Sequence, residues 1–274
     1  MTDVRDPAVA GRFYAGTERA LREQIDSVYA HGIGPGSRPE VRTGEPSVAG
    51  LVVPHAGMPF SGPVAAHAYA ALAASGRPKT VVVVGPNHTG VGSPMALPGN
   101  DRWLTPLGDV PVATELRDEI ATETDATVDD RAHTREHAAE VQLPFLQDLY
   151  DGPSILPISL RRQDAEKARR LGAAIDDAGD DATVVVASSD FTHYEPHDIA
   201  LQRDELALDR IRASDPDGLV ETVEREGLSV CGYGAIATML RAVEGDVDVL
   251  AHATSGDTAG SKDEVVGYAA VAVE

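Results

Sequence analysis

The chain has 274 residues, 42% of them hydrophobic, which is enough for a substantial core and too apolar for a disordered segment. Its net charge is −21, from 44 acidic and 23 basic residues, which excludes the basic footprint that a nucleic acid backbone requires. No apolar run approaches the roughly 20 residues of a membrane helix, and the stretch MTDVRDPAVAGRFY has no apolar signal segment, so no membrane partner and a cytoplasmic location are expected.

Only three lysines occur, Lys79, Lys167 and Lys262, and the acidic residues are scattered along the chain. That pattern reads as a halophilic surface, suited to a high-salt cytoplasm where screening makes self-repulsion tolerable. The other reading is an acidic docking face for a basic partner. Cys231 is the only cysteine, so there is no intrachain disulfide and no CxxC site.

Leu21, Ile25 and Val28 are spaced for a helix over 17–31, after Thr17 as cap. Residues 32–47, rich in Gly and Pro, read as an exposed loop. An apolar run at 48–53 stops at Pro54, and His55 follows. An alanine-rich helix is expected at 63–75. Val81–Val84 are apolar without alternation, as in a strand buried on both faces of a parallel sheet. Residues 89–110, with the only tryptophan, Trp103, read as a long loop of the kind that is often functional.

Helical patterns follow at 112–122 and 135–149, a strand at 154–160, a charged helix at 163–178 and a third buried strand at 183–187. Helices are expected at 199–213, 216–226 and 232–243, and strands at 247–252 and 265–273. There is no repeat and no linker. Alternating strands and helices predict one α/β domain over 1–274, with a largely parallel or mixed central sheet flanked by helices.

Three of the apolar runs end in a histidine-bearing loop: VVPH at His55, VVGPNH at His88 and VVASSDFTH at His193. If the strands are parallel neighbours, the imidazoles meet at one sheet edge, where open α/β sheets bind ligands. Imidazole is the commonest metal ligand among side chains. Asp190, three residues before His193, is placed to orient it or to act as a general base. In LSVCGYGAI, Cys231 precedes Gly232 and Gly234 and reads as the opening of a helix. A thiol there is either a lowered-pKa ligand or nucleophile, or a buried apolar group. HTREH, residues 133–137, matches the H-x-x-E-H zinc peptidase pattern but has no evident third ligand downstream. The expectation is an exposed His133, with Glu136 and His137 serving a different site. His31, His67, His197 and His252 read as solvated or structural, His197 with the least local support.

The stretches VRDPAVAGRFY, VPHAGMPFSG, VGPNHTG, REHAAEVQLPFLQ, SSDFTHY and VCGYGAI, in that order, resemble the successive motifs of the Memo family as found in archaeal members. The family takes its name from a mediator of ErbB-driven cell motility. The resemblance implies a fold similar to the LigB-type catalytic subunit of the class III extradiol ring-cleaving dioxygenases. It also implies a vestibule with a metal site, with His55, His88 and Cys231 as ligands and Asp190 and His193 lining the same pocket. Glu136, His137 and Glu140 fall in a further motif bordering it. Iron or copper is the implied metal. Family members have been linked to metal binding, copper-dependent redox chemistry and phosphotyrosine peptide binding.

Two departures matter. The dioxygenases hold Fe(II) with two histidines and a carboxylate, whereas Cys231 stands third here; thiolate favours Cu(I), Zn or thiolate-bound iron. Family members often carry a second histidine after the position of His88, where this chain has Thr89. The leading expectation is a metal-dependent oxidoreductase acting on a small substrate, with His193 and Asp190 as the acid/base pair. The alternatives are a non-catalytic metal, peptide or metabolite binder and a zinc hydrolase.

Overall fold

Apolar runs that do not alternate can be buried only between two layers, and that is where they lie. The structure, a computed structural model, describes residues 3–274. In chain order the first elements are β1 (Val4–Arg5), α1 (Glu18–Tyr29), β2 (Gly50–Val53), α2 (Met58–Ser75), β3 (Thr80–Pro86), β4 (Met95–Leu97), β5 (Arg102–Thr105), β6 (Gly108–Pro111), α3 (Thr114–Glu123) and β7 (Thr127–Val128). There follow α4 (Leu143–Leu149), β8 (Ser154–Leu160), α5 (Ala165–Ala178), β9 (Thr183–Ser188), β10 (His193–Glu195), α6 (His197–Arg212), α7 (Pro216–Glu226), α8 (Tyr233–Ala242), β11 (Val247–Thr254), α9 (Ser255–Thr258) and β12 (Val265–Val273).

The nine-stranded main sheet runs β10-β12-β2-β9-β3-β8-β4-β7, with β11 also on β12. Strands β2, β9, β3 and β8 are parallel neighbours, and β12 and β4 flank them antiparallel. The sheet is therefore mixed, as expected. Val81–Val84 are fully buried, each contributing about 1.5–3 kcal/mol over an exposed position. On one side α8 packs on β2, β9 and β3, with α5 outside it; α2, backed by α1 and α4, covers β2, β11 and β12. No helix among the described residues is long and apolar enough to cross a membrane.

Two expectations fail. Residues 89–110 are not one long loop: β4 joins the main sheet, β5 and β6 form a small sheet with β1, and Trp103 is buried in β5. Its partner β1 lies far back in the sequence, so no local pattern announces the strand. The helix expected over 135–149 is α-helical only at Leu143–Leu149, after 3₁₀ turns at Asp130–Ala132 and Glu140–Gln142. Pro144 explains why the α-helix begins at Leu143, since proline suits the first turn of a helix and breaks its interior.

Candidate metal centre

Three histidines share one end of the sheet because three adjacent parallel strands end there. Pro54, lacking an N–H for the ladder, follows β2 and delivers His55. His88 follows the end of β3, and β9 leads through Ser189 and Asp190 to His193. Cys231 comes from the turn before α8. Its sulfur lies 3.3 Å from His55 Nε2, and one donor atom each from His55, His88 and Cys231 lie within 4.8 Å of one another.

Two glycines allow this approach. A Cβ on Gly232 would lie 2.5 Å from the Ser188 carbonyl, so only glycine lets the Cys231 turn rest on the end of β9. A Cβ on Gly85 would lie 2.9 Å from that of Ala138, so the 136–140 segment crosses the end of β3 at the same expense. The Cys231 turn is pinned further by Gln163, whose amide donates to the Cys231 carbonyl at 2.7 Å and accepts from Gly234 N at 2.8 Å.

His88 Nδ1 is 2.9 Å from Glu136 Oε1. A carboxylate only accepts, so Nδ1 carries the proton and Nε2 keeps its lone pair. Burial opposes ionisation of Glu136, but bonds from His88, His137 and Ala138 and the fields of His88 and His137 hold its pKa down to about 2. Glu136 Oε1, His88 and His137 could form a second donor group within 4.8 Å. That group is poorer, because both Glu136 oxygens already accept N–H bonds. His137 stacks on His88 at 4.6 Å, and burial holds its pKa down to about 4.

His193 Nδ1 lies 2.7 Å from the Phe191 carbonyl and 3.0 Å from that of Ser229. Both only accept, so its Nε2 is also free. This corrects the expected Asp190–His193 pair. The Asp190 carboxylate instead accepts from the backbone N–H of His55 at 2.8 Å and of Ala56 at 3.2 Å. Its own N–H reaches the Cys231 sulfur at 3.1 Å, and its carbonyl accepts from Cys231 N at 3.1 Å. Asp190 thus ties the His55 loop to the Cys231 turn, and burial raises its pKa. Burial, then the Asp190 charge, pushes the Cys231 thiol up.

The family model for "Memo-like protein" matches residues 5–272. This chain belongs to the Memo family. The MEMO1 family protein of Methanopyrus kandleri is 45% identical over 276 residues, covering 97% of this chain and 98% of that one. That of Sulfolobus acidocaldarius is 45% identical over 279 residues, 98% of each chain. A crystal structure of an uncharacterized protein from Escherichia coli K12 superposes with a TM-score of 0.58 at 16% identity, covering 83% of this chain and 100% of that chain, which shows likeness of fold alone.

In this Memo-family chain the Glu140 charge reaches His137 of the imidazole cluster, while its carboxylate is engaged elsewhere. It is fully buried and accepts from Arg5 Nη1 at 2.7 Å, Tyr14 Oη at 2.6 Å, Ala8 N at 2.8 Å and Val9 N at 3.0 Å. Glu140 therefore holds the N-terminal segment in place. From that segment Phe13, which the sequence did not single out, packs on His137 with ring centroids 4.7 Å apart.

His133 is buried, not exposed: it is 1% accessible, edge-on to Trp103 at 5.6 Å, and the Arg5 guanidinium covers the other ring of that pair at 4.0 Å. Burial holds its pKa down to about 4. His67, His197 and His252 serve structure, bonding the Ile33 carbonyl, Thr254 and Asp204. Ser188, Gln142 and Gln163 also support the centre. The SSD run, which starts on the last residue of β9, was the one signal that could have found Ser188.

Proposed function

We propose that this Memo-family chain is a metal-dependent oxidoreductase holding iron or copper on His55, His88 and Cys231. The observation that carries the reading is the convergence of two imidazoles and a thiol, one donor atom each, within 4.8 Å at the carboxyl end of the parallel strands. The donor set fits such a metal: imidazole suits iron, copper and zinc alike, and thiolate selects the softer ions over a hard Fe(II) site. A redox metal bound there would supply electron transfer and a coordination position for a small substrate.

The chain's own residues do the rest. Glu136 turns the His88 lone pair away from itself and toward the cluster. His88, whose side chain is 34% exposed while His55 is buried, marks the side from which a substrate enters. Phe13 packs on His137, which stacks on His88 and stands edge-on to His55, so these rings wall one side of the cluster. His193, its Nδ1–H held by two carbonyls, offers Nε2 to take up or return a proton, a role typically contributing about 10²–10⁴-fold.

The test is metal analysis of anaerobically purified protein, then oxygen consumption over a panel of small substrates. Stoichiometric iron or copper is expected, lost in His55→Ala and Cys231→Ala. Metal that survives both substitutions overturns the assignment. A strict preference for zinc without redox activity would move the reading to hydrolysis, which the same three donors can support.

A further inference from the structure

For His88 and His193 the tautomer is set by groups that can only accept. His55 differs, because its Nδ1 faces a hydroxyl, Ser188 Oγ, at 2.9 Å. A hydroxyl can donate or accept, so the direction of that bond is decided elsewhere. Following the protons outward gives one answer. The Ser188 hydroxyl also lies 2.7 Å from the Ala138 carbonyl and 2.8 Å from Gln142 Nε2. The Gln142 amide cannot be reversed: its other N–H bond goes to the Pro54 carbonyl at 3.1 Å, and its oxygen takes the Tyr69 hydroxyl at 2.8 Å. Flipped, it would set two acceptors face to face at Pro54.

Gln142 is therefore a donor to Ser188, and the Ala138 carbonyl can only accept. The single Ser188 proton goes to Ala138, one lone pair takes the Gln142 N–H, and the other is left for His55. His55 must then donate from Nδ1, which leaves the Nε2 lone pair aimed at the Cys231 sulfur 3.3 Å away. Every member of the chain is buried, with Tyr69, Gln142, Ser188 and His55 all at 1% exposure or less, so water does not compete for these bonds.

We infer that Ser188 is a positioning residue for the metal centre, and that the Tyr69–Gln142–Ser188 relay, anchored on the Pro54 and Ala138 carbonyls, fixes His55 as its Nδ1–H tautomer with Nε2 free to ligate. The inference rests on the metal-site reading for its purpose, though not for its geometry. Loss of a partner that orients a ligating histidine typically costs about 10–100-fold in metal affinity.

Side-chain ¹⁵N NMR of the metal-free protein reads the tautomer directly, and Co²⁺ titration followed by the thiolate-to-cobalt absorption band reads the affinity. Wild type is expected to show His55 as the Nδ1–H form alone. Ser188→Ala is expected to populate both tautomers and to bind Co²⁺ about 10–100-fold more weakly, and Ser188→Thr to restore both. An Nε2–H form in wild type, which requires no variant to fold, overturns the inference. So does a Ser188→Ala protein whose His55 tautomer is unchanged. The expected tautomers with no Co²⁺ binding in any protein would refute the metal-site reading while leaving the relay standing.

Discussion

Arg5 Nη1 and Glu140 Oε2 meet at 2.7 Å, with both side chains enclosed in the protein. The same guanidinium donates to the carbonyls of His133 at 2.8 Å and Glu136 at 2.7 Å. One ion pair thus fastens the N-terminal segment to the segment that carries Glu136 and His137. Removing one partner strands the other charge in the interior. Glu140→Ala is expected to lower unfolding stability by about 3–5 kcal/mol, measured as the shift in urea midpoint. An effect below about 1 kcal/mol, the range of surface pairs, would mean that water reaches the pair.

Acid should weaken the fold through His133. Its folded pKa, about 4, lies below the 6.5 of an unperturbed histidine. Between these values the unfolded chain binds a proton that the folded chain does not, so stability rises with pH across the window. The contribution is complete above pH 6.5 and lost as pH falls to about 4. A shift of that size corresponds to about 3 kcal/mol. His133→Phe, which cannot titrate, should show a shallower fall of Tm between pH 6.5 and 4 than wild type. Equal slopes would remove His133 as a cause.

Salt should act in the opposite sense. With 44 acidic against 23 basic residues, the folded chain repels itself at low ionic strength. Tm is expected to rise from 0.1 to 1 M KCl, as the Debye length shrinks from about 10 to 3 Å. A flat or falling profile would favour local pairing of the acidic groups, as in Asp129 with Arg131.

Gly232 offers a way to displace one donor without deleting it. Gly232→Ala puts a methyl 2.5 Å from the Ser188 carbonyl, and the Cys231 turn must lift. Weaker metal binding with a smaller loss of Tm than in Glu140→Ala is the expected outcome. Calorimetric titration and thermal melts on the two variants check it.

Much of this was legible because it is local. The strands that deliver His55, His88 and His193 are unbroken apolar runs closed by polar loops, a pattern that only a doubly covered sheet explains. Helix α7 and strands β8 and β12 fell where their periodicity put them. What failed depended on distant partners. Trp103 and His133 looked like loop and surface residues because Arg5, which covers the Trp103 ring and bonds the His133 carbonyl, lies far back at the start of the chain. Asp190 and His193 looked paired because they are close in sequence, yet the Asp190 side chain turns to the His55 loop. Glu136 defeated the helical reading of 135–149 by accepting the N–H groups of His137 and Ala138 itself. Proximity along the chain predicted strands well and side-chain partners badly.

Strand β12 lies inside the sheet, between β2 on one side and β11 on the other, and Cys231 stands 176 residues after His55. During synthesis the nascent chain would present His55 and His88 long before Cys231, and with the β2 edge still bare. With the proposed ligand set, a metal could gather all three ligands only after Cys231 and its turn have been made, so assembly of the centre would follow the order of the strands.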